Sequence, residues 1–151
     1  KSRQLFVGNV YAATVYLPKD RSEGINQADD DSSGLIALGH NPPSVPAEAN
    51  VPVSSHLLLL DLKTGSQLQQ FELDPMILSL AFSEDGTQLA VGTNQELLLY
   101  SRESNEESKW EKDTRFSFTR NIKNEKRRPI KSVLFWQSSN TLFVLAAGHN
   151  N

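Results

Sequence analysis

Apolar residues along this chain come in short runs separated by polar punctuation. The clearest stretch is Leu78-Ser79-Leu80-Ala81-Phe82, then Ser83-Glu84-Asp85-Gly86, then Thr87-Gln88-Leu89-Ala90-Val91-Gly92. An Asp-Gly pair between two apolar runs is a strong hairpin signal. Lys131 to Trp136, a turn over Gln137 to Asn140, and Thr141 to Val144 repeat the arrangement. Ala13-Thr14-Val15-Tyr16-Leu17 stands in the corresponding place earlier, with Arg21 to Ser33 as a long polar insertion before Gly34. No stretch holds an apolar stripe at the 3.6-residue period for long, so the pattern excludes a helical fold.

The second strand of each hairpin ends alike. Leu35-Ile36-Ala37-Leu38-Gly39-His40-Asn41, Leu89-Ala90-Val91-Gly92-Thr93-Asn94 and Leu145-Ala146-Ala147-Gly148-His149-Asn150 place their glycines 53 and 56 residues apart (39 to 92, 92 to 148). Self-similarity at a near-constant period marks a repeat architecture. Gly followed by Asn reads as a strand entering a tight turn, because both residues tolerate positive φ. A third strand follows in the first two copies: His56 to Leu62, and Glu96 to Tyr100. Near-continuous apolar strands are expected to be buried on both faces. A fourth, Gln67-Leu68-Gln69-Gln70-Phe71-Glu72-Leu73, alternates polar and apolar residues, as an outer strand with one wet face does. Trp110 to Phe118 is its counterpart. The predicted order in each unit is three buried strands, then one half-exposed.

These residues resemble a known family. Ser79 to Gly92 looks like the inner hairpin of a WD-repeat blade, and Leu59-Leu60-Asp61-Leu62-Lys63-Thr64-Gly65 is similar to the stretch that carries the Trp-Asp dipeptide, with Leu60 in the place of Trp. Tyr100-Ser101 takes that place in the next copy. The family's Gly-His dipeptide is replaced by Leu73-Asp74-Pro75, so its hydrogen-bonded tetrad does not carry over. The resemblance, most specific over residues 56–102, implies an all-β partial β-propeller of four-stranded antiparallel WD-like blades. The units are 11–73, with insertions at 21–33 and 42–55; 76–118; and the start of a third at 130–151. WD repeats run about 40–45 residues and propellers have 4–8 blades. The chain is therefore expected to be about two and a half blades, a fragment or processed piece that starts in mid-element at Lys1. A compact sandwich of about ten strands is the structural alternative.

Composition narrows the picture. Fifteen basic residues against eighteen acidic ones leave a net charge of -3, too weak a field to draw in nucleic acid or an anionic membrane. No apolar run is long enough to span a bilayer, and no signal or lipidation motif is present. The absence of cysteine removes disulfides, thiolate metal sites and cysteine nucleophiles, which fits a cytoplasmic protein.

Candidate site residues follow from the repeat. His40, Asn41, Thr93, Asn94, His149 and Asn150 would lie on one face of a propeller, the face on which such proteins often contact partners. They are also good turn formers, which is the plainer account of them. A zinc site from His40 and His149 would lack two ligands. Lys123, Lys126, Arg127 and Arg128 form a basic cluster between Arg120 and Lys131 that could contact an anion or nucleic acid, or be a solvated loop. Asp29-Asp30-Asp31 lacks the spacing of a calcium loop, and Pro42-Pro43-Ser44-Val45-Pro46 reads as a stiff spacer. There is no phosphate loop, nucleophile elbow or His-Glu-x-x-His motif.

The expected function is therefore a non-catalytic interaction or sensing scaffold without a cofactor. It resembles WD-repeat sensors of STAND-type NTPases and caspase-like protease systems. Its partner would be another protein or the remaining blades, and an isolated monomer is not expected to be stable. A nucleic-acid-associated subunit using the 120–131 loop, or a propeller-containing hydrolase, are the alternatives.

Overall fold

The computed structural model describes residues 9–18, 34–42, 54–103, 109–116, 129–138 and 141–148. The described chain is all-β. Its strands are β1 (Asn9–Tyr16), β2 (Leu35–Asn41), β3 (Ser55–Asp61), β4 (Gln67–Leu73), β5 (Ile77–Phe82), β6 (Gln88–Thr93), β7 (Leu97–Ser101), β8 (Glu111–Phe116), β9 (Ile130–Ser138) and β10 (Thr141–Gly148). They form two four-stranded antiparallel sheets, β1-β2-β3-β4 and β5-β6-β7-β8, and a third, two-stranded sheet, β9-β10. Three sheets, not two, rule out the simple sandwich.

Local chemistry explains the turns. Asp61 accepts hydrogen bonds from the Thr64 N–H at 2.6 Å and the Thr64 hydroxyl at 2.7 Å, and Gly65 follows at φ +66°. The left-handed region is open to glycine without a Cβ clash, so Asp-Leu-Lys-Thr-Gly closes the β3–β4 hairpin by itself. In the β5–β6 hairpin the Gly86 N–H donates to the Ser83 carbonyl at 3.0 Å, with Gly86 at φ +69°. The Ser83 hydroxyl donates to Asp85 at 2.6 Å and accepts from the Gln88 N–H at 2.9 Å.

Burial follows the predicted order only in part: in the second sheet β5, expected to be buried, is half-buried after Ile77. β6 and β7 are largely buried, and β4 alternates between exposed and half-buried positions before ending on buried Leu73. β1, expected to be buried, exposes Val10, Tyr11 and Val15. Among the described residues no further sheet covers its outer face. The strand also begins earlier than the Ala13–Leu17 run suggested, and β9 continues through Gln137 and Ser138, where a turn was expected. The insertions at 21–33 and 42–55 fall almost wholly outside the described residues.

The sheets stack in chain order. Leu35, Ala37, Leu57 and Leu59 of the first meet Ile77, Leu89, Val91, Leu98 and Tyr100 of the second, with Trp110 closing the cluster. On the second sheet's other face, Ala90 and Leu97 meet Ile130 and Val133 of the third. The first strands lie side by side, β5 between β1 and β9. Each begins with a bulge, at Val10/Ala12, at Ile77/Ser79, and opposite Ala147/Gly148.

The repeated glycines have a different reason from the one expected. Gly39 and Gly92 lie inside β2 and β6 without positive φ. A Cβ on Gly39 would sit 2.5 Å from Ile77 Cγ2, and one on Gly92 would sit 2.7 Å from the Ile130 carbonyl oxygen and collide with Ser79 Oγ. Each glycine thus seats the first residue of the next sheet, 38 residues later in both cases (39 to 77, 92 to 130). The third hairpin departs from this register. Four residues, not three, separate the strand-pair partner of its Phe (Val144, Phe135) from the glycine, so Ala147 rather than Gly148 faces Ser132.

Two measurements test this account. Gly92→Ala should destabilise by about 1–3 kcal/mol through overpacking against the Ile130 backbone, read from the urea midpoint, whereas Gly65→Ala in open space should cost only its backbone strain. A loss at Gly92 no larger than the scatter of surface variants would show that the close approach is wrong. Partial burial pushes the Asp85 carboxyl up, but hydrogen bonds from Ser83 and Thr87 outweigh it and hold it below its ordinary value. A depressed carboxyl stabilises the fold above its unfolded pKa of about 4 and loses that contribution as pH falls through the folded value. Asp85→Asn should therefore lower the urea midpoint at pH 7 and differ less from wild type as the pH is taken below 4.

Candidate functional site

Sheet stacking brings the turn residues His40, Asn41, Thr93 and Asn94 to one end of the molecule, around the start of β5. Asn41 is fully buried. Its side-chain amide donates to the Ile77 carbonyl at 2.7 Å and accepts from the Ile77 N–H at 2.8 Å. It acts as a stand-in for a strand neighbour and ties the first sheet to the second. Asn94 holds the preceding residue: its side-chain oxygen accepts from the Met76 N–H at 3.0 Å and its own N–H donates to the Met76 carbonyl at 3.0 Å.

Thr93 is likewise fully buried. Its hydroxyl donates to the Glu96 carbonyl at 2.7 Å and accepts from the N–H groups of Gln95 and Glu96. His40 is buried and faces His56 across the β2–β3 pair, with ring centroids 6.1 Å apart. The polar groups of Asn41 and Thr93 therefore serve their own chain, and the exposed apolar groups at this end include Val10, Tyr11 and Met76. His149 and Asn150 lie outside the described residues, as do Lys123, Lys126, Arg127 and Arg128.

A second amide works at the opposite margin of the same sheet pair. Gln69 on β4 donates to the Trp110 carbonyl at 2.9 Å and accepts from the Trp110 N–H at 2.9 Å. Arg102 lies over the Trp110 ring, 5.3 Å from its centroid. Between the second and third sheets the Ser79 hydroxyl donates to the Ile130 carbonyl at 3.1 Å. The Gln69 and Ser79 links have no sequence signature, because Gln and Ser in strands are unremarkable until a backbone arrives opposite them.

Besides the outer face of β1, two further surfaces are open among the described residues. One is a cleft of about 390 Å³ where the ends of β1, β5 and β9 meet, with Tyr16, Phe82 and Leu134 in its walls and Glu84 at its lining. The Ser83 hydroxyl, also in the lining, is engaged with Asp85 and the Gln88 backbone. The other surface is the outward face of the third sheet. There Leu134, Trp136, Phe143 and Leu145 are 47%, 54%, 41% and 52% exposed, and the Trp136 and Phe143 rings stack at 5.2 Å. Four large apolar side chains on one small sheet are more than scattered surface residues. The signal was present in the sequence as a run apolar on both faces; what it could not say is that only one face finds a sheet among the described residues.

Among the described residues no three His, Asp or Glu side chains converge as metal ligands, and no helix is long and apolar enough to cross a membrane. Comparison with protein families, with curated proteins and with solved structures found no match.

Asn41→Ala should leave both polar groups of buried Ile77 without a partner and cost about 1–3 kcal/mol for each unpaired group. The urea midpoint reads it, and Asn41→Asp, which keeps the acceptor alone, should recover part of the loss. A neutral Asn41→Ala would mean that the two sheets are not joined there.

Proposed function

We propose that this chain is part of a WD-like β-propeller and works as a non-catalytic protein–protein interaction scaffold. The observation that carries the reading is the outward face of the third sheet, apolar at Leu134, Trp136, Phe143 and Leu145. The second sheet is covered on both faces, and the third carries side chains of the same kind on a face that no sheet covers among the described residues.

The row of residues across each sheet supports the propeller part of the reading. Residues paired in register across the first sheet are Ala12, Gly39, Leu57 and Phe71. Across the second they are Ser79, Gly92, Leu97 and Phe116. Both rows carry small residues on their first two strands and a leucine on the third, and the first row ends on Phe71. Small residues let neighbouring sheets approach closely at Gly39 and Gly92, and larger ones such as Leu57 and Phe71 pack in the core beside them. That is the packing that blades fanned around an axis require. A cysteine-free chain with this surface suits a reducing, cytoplasmic setting. Fold analogy sets the expectation of an interaction role, and the exposed apolar face supplies the physical reason for one.

The test uses light scattering and denaturant unfolding on the 151-residue chain. The expected result is a chain that self-associates, or stays soluble only with a second polypeptide, and that becomes more soluble on Trp136→Glu without a lower urea midpoint. A monodisperse monomer that unfolds cooperatively and retains no other polypeptide would overturn the scaffold reading.

A further inference from the structure

Asp85-Gly86 is the single Asp-Gly pair in the sequence, and there is no Asn-Gly pair. Such a pair can rearrange its own backbone. The glycine nitrogen attacks the aspartate Cγ, since glycine has no side chain to obstruct the approach. The N–Cγ bond forms, the Cγ–OH bond breaks, and water leaves with the amide hydrogen, giving a succinimide ring. Water then opens the ring at the main-chain carbonyl carbon of the aspartate. The chain now runs through Cγ, one carbon longer, and the former main-chain carbonyl has become a free carboxylate. The reaction consumes no oxidant, cofactor or second protein.

The β5–β6 turn holds each group this reaction needs. The nucleophile is engaged, because the Gly86 N–H donates to the Ser83 carbonyl at 3.0 Å. The electrophile is engaged too: the Asp85 carboxylate accepts from the Ser83 hydroxyl at 2.6 Å and from the Thr87 N–H at 3.0 Å. Burial pushes that carboxyl up, but the hydrogen bonds outweigh it and keep it ionised, and a carboxylate has no hydroxyl to lose as water. Gly86 is pinned from two further sides. Its carbonyl accepts from Arg102 Nε at 3.1 Å. A Cβ at its position would sit 2.5 Å from two ring carbons of Tyr16, so this side chain of β1 lies against the turn. Gly86 is therefore buried although Asp85 beside it is exposed.

We propose that Asp85 is a site of isoaspartate formation that the folded turn locks, so that conversion waits on opening of the turn from Ser83 to Gln88. Ser83 is the positioning residue of the lock, because it touches both reacting groups. Its carbonyl holds the hydrogen of the nucleophile and its hydroxyl holds the carboxylate. Once formed, the longer backbone would have to give up the Ser83–Gly86 bond or the contact with Tyr16. That contact joins the first sheet to the second, so the modification would loosen the stack. The inference stands apart from the scaffold reading and survives its failure.

The test is the rate of isoaspartate formation at Asp85 in warm neutral buffer. Peptide mapping with electron-transfer fragmentation reads it, because that method tells apart the two linkages of equal mass. The full chain is aged folded and in urea, beside a synthetic peptide of residues Leu80 to Ala90. The expected result is conversion in urea at the rate of the peptide, and in the folded chain at least about tenfold more slowly. Ser83→Ala should speed conversion in the folded chain about tenfold. Asn41→Ala, which weakens the fold at the other end of β5, should speed it much less. Equal rates in the folded and unfolded chain overturn the proposal, as does a peptide that forms no isoaspartate. A folded Ser83→Ala chain no faster than wild type overturns the lock. So does an Asn41→Ala chain that is equally fast, because global unfolding would then be the gate. If Ser83→Ala does not fold, the comparison of folded with unfolded wild type decides alone.

Discussion

A sheet can bring its backbone close to another only where no side chain intervenes, and this chain meets that condition at Gly39 and Gly92. Each glycine receives the first residue of the following sheet, Ile77 and then Ile130, at a distance that a Cβ would close. The close approach sets where the next sheet begins and how it lies. The Asn41 amide can reach both polar groups of Ile77 only because Gly39 lets Ile77 come near. Across the second gap the Ser79 hydroxyl reaches the Ile130 carbonyl for the same reason. The apolar clusters on either side of the middle sheet then fill what the approach leaves open.

Polar groups here do little at the surface and much between sheets. Asn41 and Gln69 each use both ends of an amide on one backbone residue of the second sheet, near opposite margins of the interface. A buried backbone N–H or C=O left alone is costly, so each clamp favours one placement of the sheets over a slid one. Hydrophobic contact, being non-directional, cannot make that choice. Of the turn residues expected to face a partner, Asn41 and Thr93 are drawn inward by this demand. Among the described residues, what the third sheet offers outward is apolar, at Leu134, Trp136, Phe143 and Leu145.

The fold was legible in the sequence wherever its cause is local. Asp61-Leu62-Lys63-Thr64-Gly65 and Ser83-Glu84-Asp85-Gly86 close their own hairpins with their own side chains, so their turns could be read from a few residues. The wet-faced alternation of β4 and the heavily apolar β3 and β7 were legible because burial selects side chains strand by strand. The extent of β1 and β9 was less so, since runs such as Asn9 to Ala12 acquire strand character only from the strand they pair with. The candidate site was legible in position but not in role. The Gly-x-Asn endings at Asn41 and Asn94 both lie around the start of β5, yet Asn41 grips the next sheet while Asn94 grips its own.

The sequence by itself determined the all-β class, the period of the repeat and the hairpin turns, because alternation, glycine and short polar turns act over a few neighbouring residues. Tertiary structure alone decided what the repeated glycines are for, which polar side chains join the sheets, and which apolar face is left open. Those depend on residues tens of positions apart meeting at a few ångströms, as Gly39 and Ile77 do, and no local pattern specifies that distance.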